Sequence, residues 1–398
     1  MKIKNLIRTW MMLGALLLAG SCERLHEPGG QADGGAIGFV AEVALVADGT
    51  KASTLDTRTS FEDGDKFRVY GRRVGEGRNT RVFGDSGTLV EWDDTHDKWI
   101  YSPTNYWYWV NQSNYYDFLA VYPDPDGAGQ SERMTDGGGN DIPGNLAIQK
   151  AYSISLNEGA LQAGTDLLMA GTRRTGANVG TRTALVPLNF HHMLSAVKVV
   201  VTNDSDAKSL TLNSIKFDNL IHSANAKVTI DAMGQPEFSW IDTQRRSDKV
   251  SVYTGTPGPT LSTGDTYNPS DINPDSPYDL LIPADLSVAI DGSLVPERSN
   301  YNTDLEYETA LASYRENKLP HLIINFTPAG EIDPIEKAIV LTDIQQSPVA
   351  NDDPLLEWEP GIRYTYNISI RLDGGVLVTV VTTAWEDITA ETPGLLIE

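Results

Sequence analysis

The stretch Ile-Gly-Phe-Val-Ala-Glu-Val-Ala-Leu-Val at residues 37–46 decides the fold class of this 398-residue chain. Its apolar side chains recur at every second position, namely at Ile37, Phe39, Ala41, Val43 and Leu45. Successive side chains of an extended strand point to opposite faces of a sheet, so a period of two predicts a strand with one buried face. We therefore expect the folded part of the chain to begin with a β-strand at residue 37.

Further short apolar segments follow along the chain, separated by clusters of Gly, Pro, Asp and Asn that favour turns. They lie at residues 67–70, 115–122, 166–170, 194–201, 210–217, 226–230, 278–282, 321–326, 337–341, 364–372 and 376–385. A helical pattern is recognisable only at residues 309–318. Many short strands with turn signals between them predict an all-β fold made of packed sheets.

The length favours two domains, each large enough to bury a core of its own. A fresh series of strands begins near His191, which places the predicted boundary there. We therefore expect an N-terminal β-sandwich at residues 37–190 and a C-terminal β-sandwich at residues 191–398, with about seven strands each.

The N-terminus carries the features of an export signal. Lys2, Lys4 and Arg8 precede an apolar run at residues 13–18, which is too short to span a bilayer. We expect residues 1–21 to be a lipoprotein signal peptide that is removed on export.

Cys22 is the only cysteine of the chain, and it directly follows Ala-Gly-Ser. Small residues before a cysteine resemble a bacterial lipobox, which predicts acylation of Cys22 and an outer-membrane lipoprotein on the cell surface. Residues 22–36 are polar and rich in glycine, as in a flexible tether. An ordinary signal peptide followed by an unrelated cysteine is the alternative.

Charge and cysteine content exclude several classes of function. The formal net charge is −23, and such an acidic surface repels phosphate backbones, which argues against nucleic-acid partners. A single cysteine provides neither a disulfide framework nor a thiolate metal site. We find no cofactor motif in the sequence and expect none to be bound.

The candidate catalytic and metal-binding residues have simpler explanations. Ser86 stands in Gly-Asp-Ser-Gly, as in a protease nucleophile loop, but the only histidine before it is His26 in the tether. His191 and His192 are adjacent on a predicted strand, so they point to opposite faces and cannot hold one metal ion together. We expect a non-catalytic protein without a metal site.

Three motifs, taken together with the N-terminal signal, resemble the fimbrillin family of Bacteroidales pilins. The first is Thr-Arg-Thr-Ser-Phe-Glu-Asp-Gly-Asp-Lys-Phe-Arg-Val-Tyr-Gly at residues 57–71. The second is Val-Pro-Leu-Asn-Phe-His-His-Met-Leu-Ser-Ala-Val-Lys-Val at residues 186–199. The third is Trp-Glu-Pro-Gly-Ile-Arg-Tyr-Thr-Tyr-Asn-Ile at residues 358–368, where we expect Trp358 and Tyr364 to be core aromatics.

The resemblance implies two transthyretin-like β-sandwich domains in tandem and a role as a fimbrial subunit. In that family an arginine-specific protease removes the first strand, and a strand of a neighbouring subunit takes its place. Here the removable strand would carry the five alternating residues named above. Arg58, and Lys51 as a second candidate, lie in the polar segment that follows and would be cleaved. Residues 376–385 or 387–398 are candidates for the donor strand.

An outer-membrane lipoprotein that binds host or bacterial glycans is the alternative function. Tyr106, Trp107, Tyr108 and Trp109 alternate along a predicted strand, so one pair could offer a stacking platform for sugar rings. A core or inter-domain position for these aromatics is the simpler interpretation. Adhesion and fimbrial assembly are compatible in one subunit.

Overall fold

The structure is a computed structural model, and the residues that it describes all lie within Gly34–Glu398. The described residues are 37–43, 65–75, 78–83, 87–93, 98–101, 115–123, 147–154, 156–157, 160–161, 166–175, 185–206, 208–245, 249–255, 258–269, 279–289, 292–346, 355–371 and 375–384.

Strands dominate this part of the chain, which confirms the prediction of an all-β fold. The strands before residue 193 are β1 Gly38–Val43, β2 Lys66–Gly75, β3 Arg78–Arg81, β4 Thr88–Asp93, β5 Lys98–Tyr101, β6 Tyr115–Tyr122, β7 Ala147–Ser153, β8 Leu156–Asn157, β9 Ala160–Leu161, β10 Leu168–Thr175 and β11 Leu185–His192. The later strands are β12 Ser195–Asn203, β13 Leu210–Asp218, β14 Ile221–Ile230, β15 Pro236–Arg245, β16 Val250–Thr254, β17 Thr260–Leu261, β18 Thr266–Tyr267, β19 Asp279–Leu281, β20 Ala284–Asp285, β21 His321–Pro328, β22 Ile335–Val340, β23 Gln345–Gln346, β24 Glu357–Trp358, β25 Ile362–Ile370 and β26 Val376–Ala384. Helix α1 spans Asp304–Lys318, and short 3-10 turns lie at Arg298–Asn300 and Leu341–Asp343.

The first sheet is built from eight strands in the order β1-β11-β10-β6-β2-β4-β5, with β3 paired to β2. Strand β6 lies in its middle, and all but the first of its residues are buried. Phe118 and Ala120 face one apolar core, whereas Leu119 and Val121 face another. A strand that is covered on both faces carries apolar side chains at successive positions, as residues 118–122 do, which is why this segment is recognisable in the sequence.

Two further sheets enclose the larger core. The seven-stranded sheet has the order β22-β21-β13-β16-β9-β8, with β17 on β13, and the six-stranded sheet has the order β18-β12-β25-β26-β23, with β19 on β12. Phe217 of β13 contacts Trp358 and Tyr366, with ring centroids 5.7 and 6.0 Å apart. Trp358 is 1% exposed and Tyr364 is 2% exposed, so both are core aromatics, as predicted.

Residues on both sides of the predicted boundary share sheets. Strand β7 pairs with β14 and joins it to β15 in a three-stranded sheet, while β9 pairs with β16. Ile148 of β7 and Ile154, directly after β7, are buried in the larger core. The domain boundary at residue 190 stays a prediction. Strands β7 and β9, which precede this boundary, pair with β14 and β16, which follow it.

Helix α1 begins at Asp304 rather than at residue 309, where the sequence pattern starts. The hydroxyl of Thr303 accepts a hydrogen bond from the Glu306 amide, and the Glu306 carboxylate accepts one from the Thr303 amide, which forms a capping box. Only Tyr314 of the helix is buried, so the apolar period is weak. Among the described residues we find no helix with the length and apolarity needed to cross a membrane.

Candidate functional site

Strand β1 lies at the edge of the first sheet and pairs there with one strand, β11. The pairing is parallel, with Gly38 opposite Leu185 and Val43 opposite Phe190. The other pairings of this sheet are antiparallel. Because no described strand pairs with the other side of β1, its removal would leave every other ladder of the sheet intact.

The inward side chains of this edge segment are nevertheless part of the core. Ile37 is fully buried, Phe39 is 5% exposed and Ala41 is partly buried. Burial of one large apolar side chain contributes about 1.5–3 kcal/mol. Val43 belongs to β1 by its backbone, and Leu45 lies outside the described residues. The segment is therefore held mainly by its apolar side chains and by one row of backbone hydrogen bonds.

Phe39 is surrounded by three other phenylalanines. Its ring centroid lies 6.5 Å from that of Phe67, 6.1 Å from that of Phe83 and 6.1 Å from that of Phe118. The contacts with Phe67 and Phe118 are edge-to-face, with interplanar angles of 83°. Edge-to-face pairs are a favoured arrangement of aromatic rings. We call Phe67, Phe83 and Phe118 the phenylalanine box.

The two edges of the first sheet approach each other, because β1 also lies against β5. Trp99 of β5 contacts Phe67 with ring centroids 4.5 Å apart, and Phe190 of β11 contacts Phe67 with centroids 5.1 Å apart. Strand β1 therefore occupies a slot whose walls are β11 and β5 and whose floor includes the phenylalanine box. Without β1, this slot would be an open apolar groove beside an unpaired strand edge.

The opposite face of the first sheet carries a buried ionic cluster. Asp117 is fully buried on β6, and its carboxylate accepts hydrogen bonds from Arg72 of β2 at 2.5 Å and from Arg173 of β10 at 2.6 and 3.0 Å. The hydrogen bond to Asp117 raises the pKa of Arg173 further above its ordinary value. These three strands are neighbours, so the cluster fixes their register independently of β1.

The two adjacent histidines of β11 have separate surroundings. The ring of His191 lies against Phe238, with centroids 4.5 Å apart, and burial lowers the pKa of His191. His192 faces the other side, where its Nδ1 lies 2.6 Å from Oδ2 of the buried Asp166. Within the described ranges, no group of three or more His, Cys, Asp or Glu side chains could hold a metal ion.

Several predicted site residues lie outside the part of the chain that the structure describes. They are the lipidation candidate Cys22, the cleavage candidates Lys51 and Arg58, and the aromatic residues Tyr106, Trp107, Tyr108 and Trp109. Their roles, and the glycan-binding alternative that depends on the last four, stay predictions.

The sequence predicted β1 as a strand but did not predict the residues that pack against it. Phe67 lies within the first motif and Phe118 lies in a predicted strand, so a signal existed for both. Phe83 follows the short strand β3 in a bend and has no periodic neighbours, so nothing in the sequence marks it.

A family model described as fimbrillin-like matches residues 50–385 of the chain. A search of curated proteins finds no match. Among solved structures, the chain is similar to a fimbrial protein from Bacteroides vulgatus, with 14% identity, 88% of this chain and 99% of that chain covered, and a TM-score of 0.46. A Bacteroides uniformis protein that is assigned to cell adhesion gives 15% identity, 88% and 98% coverage and a TM-score of 0.43. The fimbrial anchor protein Mfa2 from Porphyromonas gingivalis gives 10% identity, 88% and 98% coverage and a TM-score of 0.37.

Proposed function

The chain belongs to the fimbrillin-like family, and we propose that it is a non-catalytic, structural or adhesive subunit of a cell-surface fimbria that assembles by exchange of its first strand. The observation that carries this proposal is the position of β1. Together with the preceding Ile37 it contributes two fully or almost fully buried side chains to the core, yet among the described strands its backbone pairs with β11 alone.

Loss of β1 would create the two features that strand exchange requires. The backbone groups of β11 that now pair with residues 38–43 would become an open edge, which is a template for another strand. The pockets of Ile37 and Phe39 would become exposed apolar surface. An incoming strand would satisfy both by backbone hydrogen bonds and by alternate apolar side chains.

Proteolysis between β1 and β2 would release the strand. The intervening residues 44–65 contain Lys51 and Arg58, and cleavage after Arg58 would separate β1 from the rest of the chain. The buried Asp117 cluster supports this step, because it ties β2, β6 and β10 together without any contribution from β1.

The proposal also includes export and anchoring. Removal of residues 1–21 and acylation of Cys22 would hold the precursor in the outer membrane, and cleavage after Arg58 would free the subunit from that anchor. The partners would be other fimbrial subunits, through strand exchange, and the membrane before processing. A stalk, tip or anchor subunit differs in whether this cleavage takes place.

Limited digestion with an arginine-specific protease tests the proposal. We expect one early cut after Arg58, found by N-terminal sequencing, after which the β1 segment remains bound until an excess of a synthetic peptide of residues 37–46 replaces it. The matched control is Arg58→Gln, which should slow the early cut and the replacement of β1 together. A β1 segment that stays in place after the cut, despite the excess peptide, would contradict the proposal.

A further inference from the structure

The slot that β1 fills holds three different kinds of apolar side chain. The phenylalanine box surrounds Phe39 with three rings at centroid distances of 6.1–6.5 Å, whereas Ala41, two positions later, is partly buried and small. Ile37, two positions earlier, is completely buried. The slot therefore has three consecutive subsites, which take a branched aliphatic, an aromatic and a small side chain.

We propose that the phenylalanine box selects the strand that replaces β1, so that the incoming strand carries an aromatic residue two positions after a branched aliphatic one. This inference rests on the proposed function and adds the chemistry of the partner to it. A strand that pairs in parallel with β11, as β1 does, would present its side chains to the subsites in this order.

The C-terminal segment of a second copy does not fit this requirement. Strand β26 pairs with β25 along all nine of its residues, and Val380 is fully buried, so donating β26 would open the core of its own subunit. Residues 385–398 contain one aromatic residue, Trp385, and Thr383 rather than a branched aliphatic residue lies two positions before it. The occupant that we infer is therefore a strand of a different subunit with an aliphatic-x-aromatic-x-small pattern.

A peptide exchange experiment on the whole chain tests this inference. The chain is nicked between β1 and β2 so that the fluorescently labelled β1 segment stays bound, and unlabelled synthetic peptides then compete for the slot. The peptides are residues 37–46, the same peptide with Phe39→Leu, the same with Phe39→Ala, and residues 385–398.

We expect the unchanged peptide to displace the label. The Phe39→Leu peptide should bind roughly tenfold more weakly, because it lacks the ring-to-ring contacts. The Phe39→Ala peptide should bind roughly 100-fold more weakly, because it leaves a cavity. Residues 385–398 should not compete.

A variant of the box supplies an independent check. Phe83→Leu should reduce the ratio between the affinities of the unchanged peptide and the Phe39→Leu peptide, since it removes one of the three rings. Phe217→Leu is the matched control, because Phe217 is equally buried in the other core and should leave that ratio unchanged. The peptide series on the unmodified chain is decisive even if Phe83→Leu does not fold.

The outcomes separate this inference from the proposed function. If no peptide displaces the label, β1 is not exchangeable, and the proposed function fails together with the inference. If all peptides displace the labelled segment equally, the result supports strand exchange, and the inference that the slot selects an aromatic residue is wrong. If residues 385–398 compete as well as residues 37–46, the partner is a second copy of this chain.

Discussion

The Nε atom of Arg173 lies 2.6 Å from Oδ1 of Asp117, and the same guanidinium donates to the backbone oxygen of Ala232 at 3.0 Å. Arg173 thereby connects the centre of the first sheet to the turn between β14 and β15. Its guanidinium also lies over the ring of Tyr115, 4.1 Å from the centroid. The hydrogen bonds of Arg173 therefore join β6 and β10 to the turn after β14. Removal of β1 would leave these hydrogen bonds in place.

Replacement of Asp117 should therefore be among the most damaging single changes. Asp117→Asn leaves the guanidinium groups of Arg72 and Arg173 without a carboxylate in a buried site, and we expect a loss of about 3–5 kcal/mol in the free energy of unfolding. Urea denaturation measures this loss. Asp204→Asn is the control, because the pair of Asp204 and Arg371 is about half exposed, and its loss should cost about 1 kcal/mol or less. Equal effects of the two substitutions would show that the cluster does not hold the sheet.

Truncation of Phe39 should weaken the binding of β1 to the rest of the chain. Phe39→Ala empties the phenylalanine box, and large-to-small changes of this kind cost about 3–5 kcal/mol. We expect a lower urea midpoint and faster release of the labelled segment from the nicked chain. Leu377→Ala is the control, since Leu377 is half exposed on β26 and should change the stability by about 0.5 kcal/mol or less. An unchanged release rate would mean that the side chain of Phe39 does not retain β1.

Two buried tyrosines and one partly buried tyrosine predict a loss of stability at alkaline pH. Burial raises the pKa of Tyr366 and of Tyr364, and burial together with the nearby Asp166 raises the pKa of Tyr152. Each phenol therefore stays protonated in the folded chain while the unfolded chain ionises near pH 10. Their contribution is complete below about pH 10 and decreases above it, by up to about 1.4 kcal/mol per pH unit for each tyrosine.

Urea denaturation between pH 8 and pH 11, with phenolate absorbance followed in parallel, measures this effect. Tyr152→Phe should reduce the decrease of the free energy of unfolding per pH unit above pH 10 by the contribution of one tyrosine. Full ionisation of these tyrosines near pH 10 in the folded chain, without loss of stability, would contradict the expectation.

The capping box of α1 should set the stability of that helix. Thr303 Oγ1 accepts from the Glu306 amide at 3.1 Å, and Thr303→Ala should destabilise the helix by about 1 kcal/mol. Hydrogen exchange of the α1 amides measures this change locally. Thr309→Ala is the control, because the Thr309 hydroxyl donates back to Leu305 inside the helix and gives little support there. Equal protection in both variants would show that the cap is not needed.

The sequence predicts strands best where packing is regular. Residues 115–122 and 210–217 carry strong apolar patterns, and β6 and β13 have the same or nearly the same bounds. Strand β15 begins with a proline and carries polar side chains at alternate positions, as an edge strand tolerates, so it has no strong sequence signal.

Pairing and side-chain contacts over long distances could not be predicted. The parallel ladder between β1 and β11 joins residues far apart in the chain, and no local pattern encodes its direction. Nor does a local pattern predict the contact of Phe83 with Phe39 or the pairing of β7 with β14. The sequence therefore predicted the first strand, and the structure identified the residues that its side chains contact.

A reversible lock on β1 tests the central claim most directly. Gly38 and Leu185 are paired across β1 and β11, so Gly38→Cys with Leu185→Cys should allow a disulfide between the two strands. The variant also carries Cys22→Ser, which removes the native thiol. After cleavage by the arginine-specific protease, we expect the oxidised protein to keep β1 in the presence of excess peptide of residues 37–46, and the reduced protein to exchange β1 for that peptide. Equal binding of the peptide with β1 locked in place would contradict strand exchange.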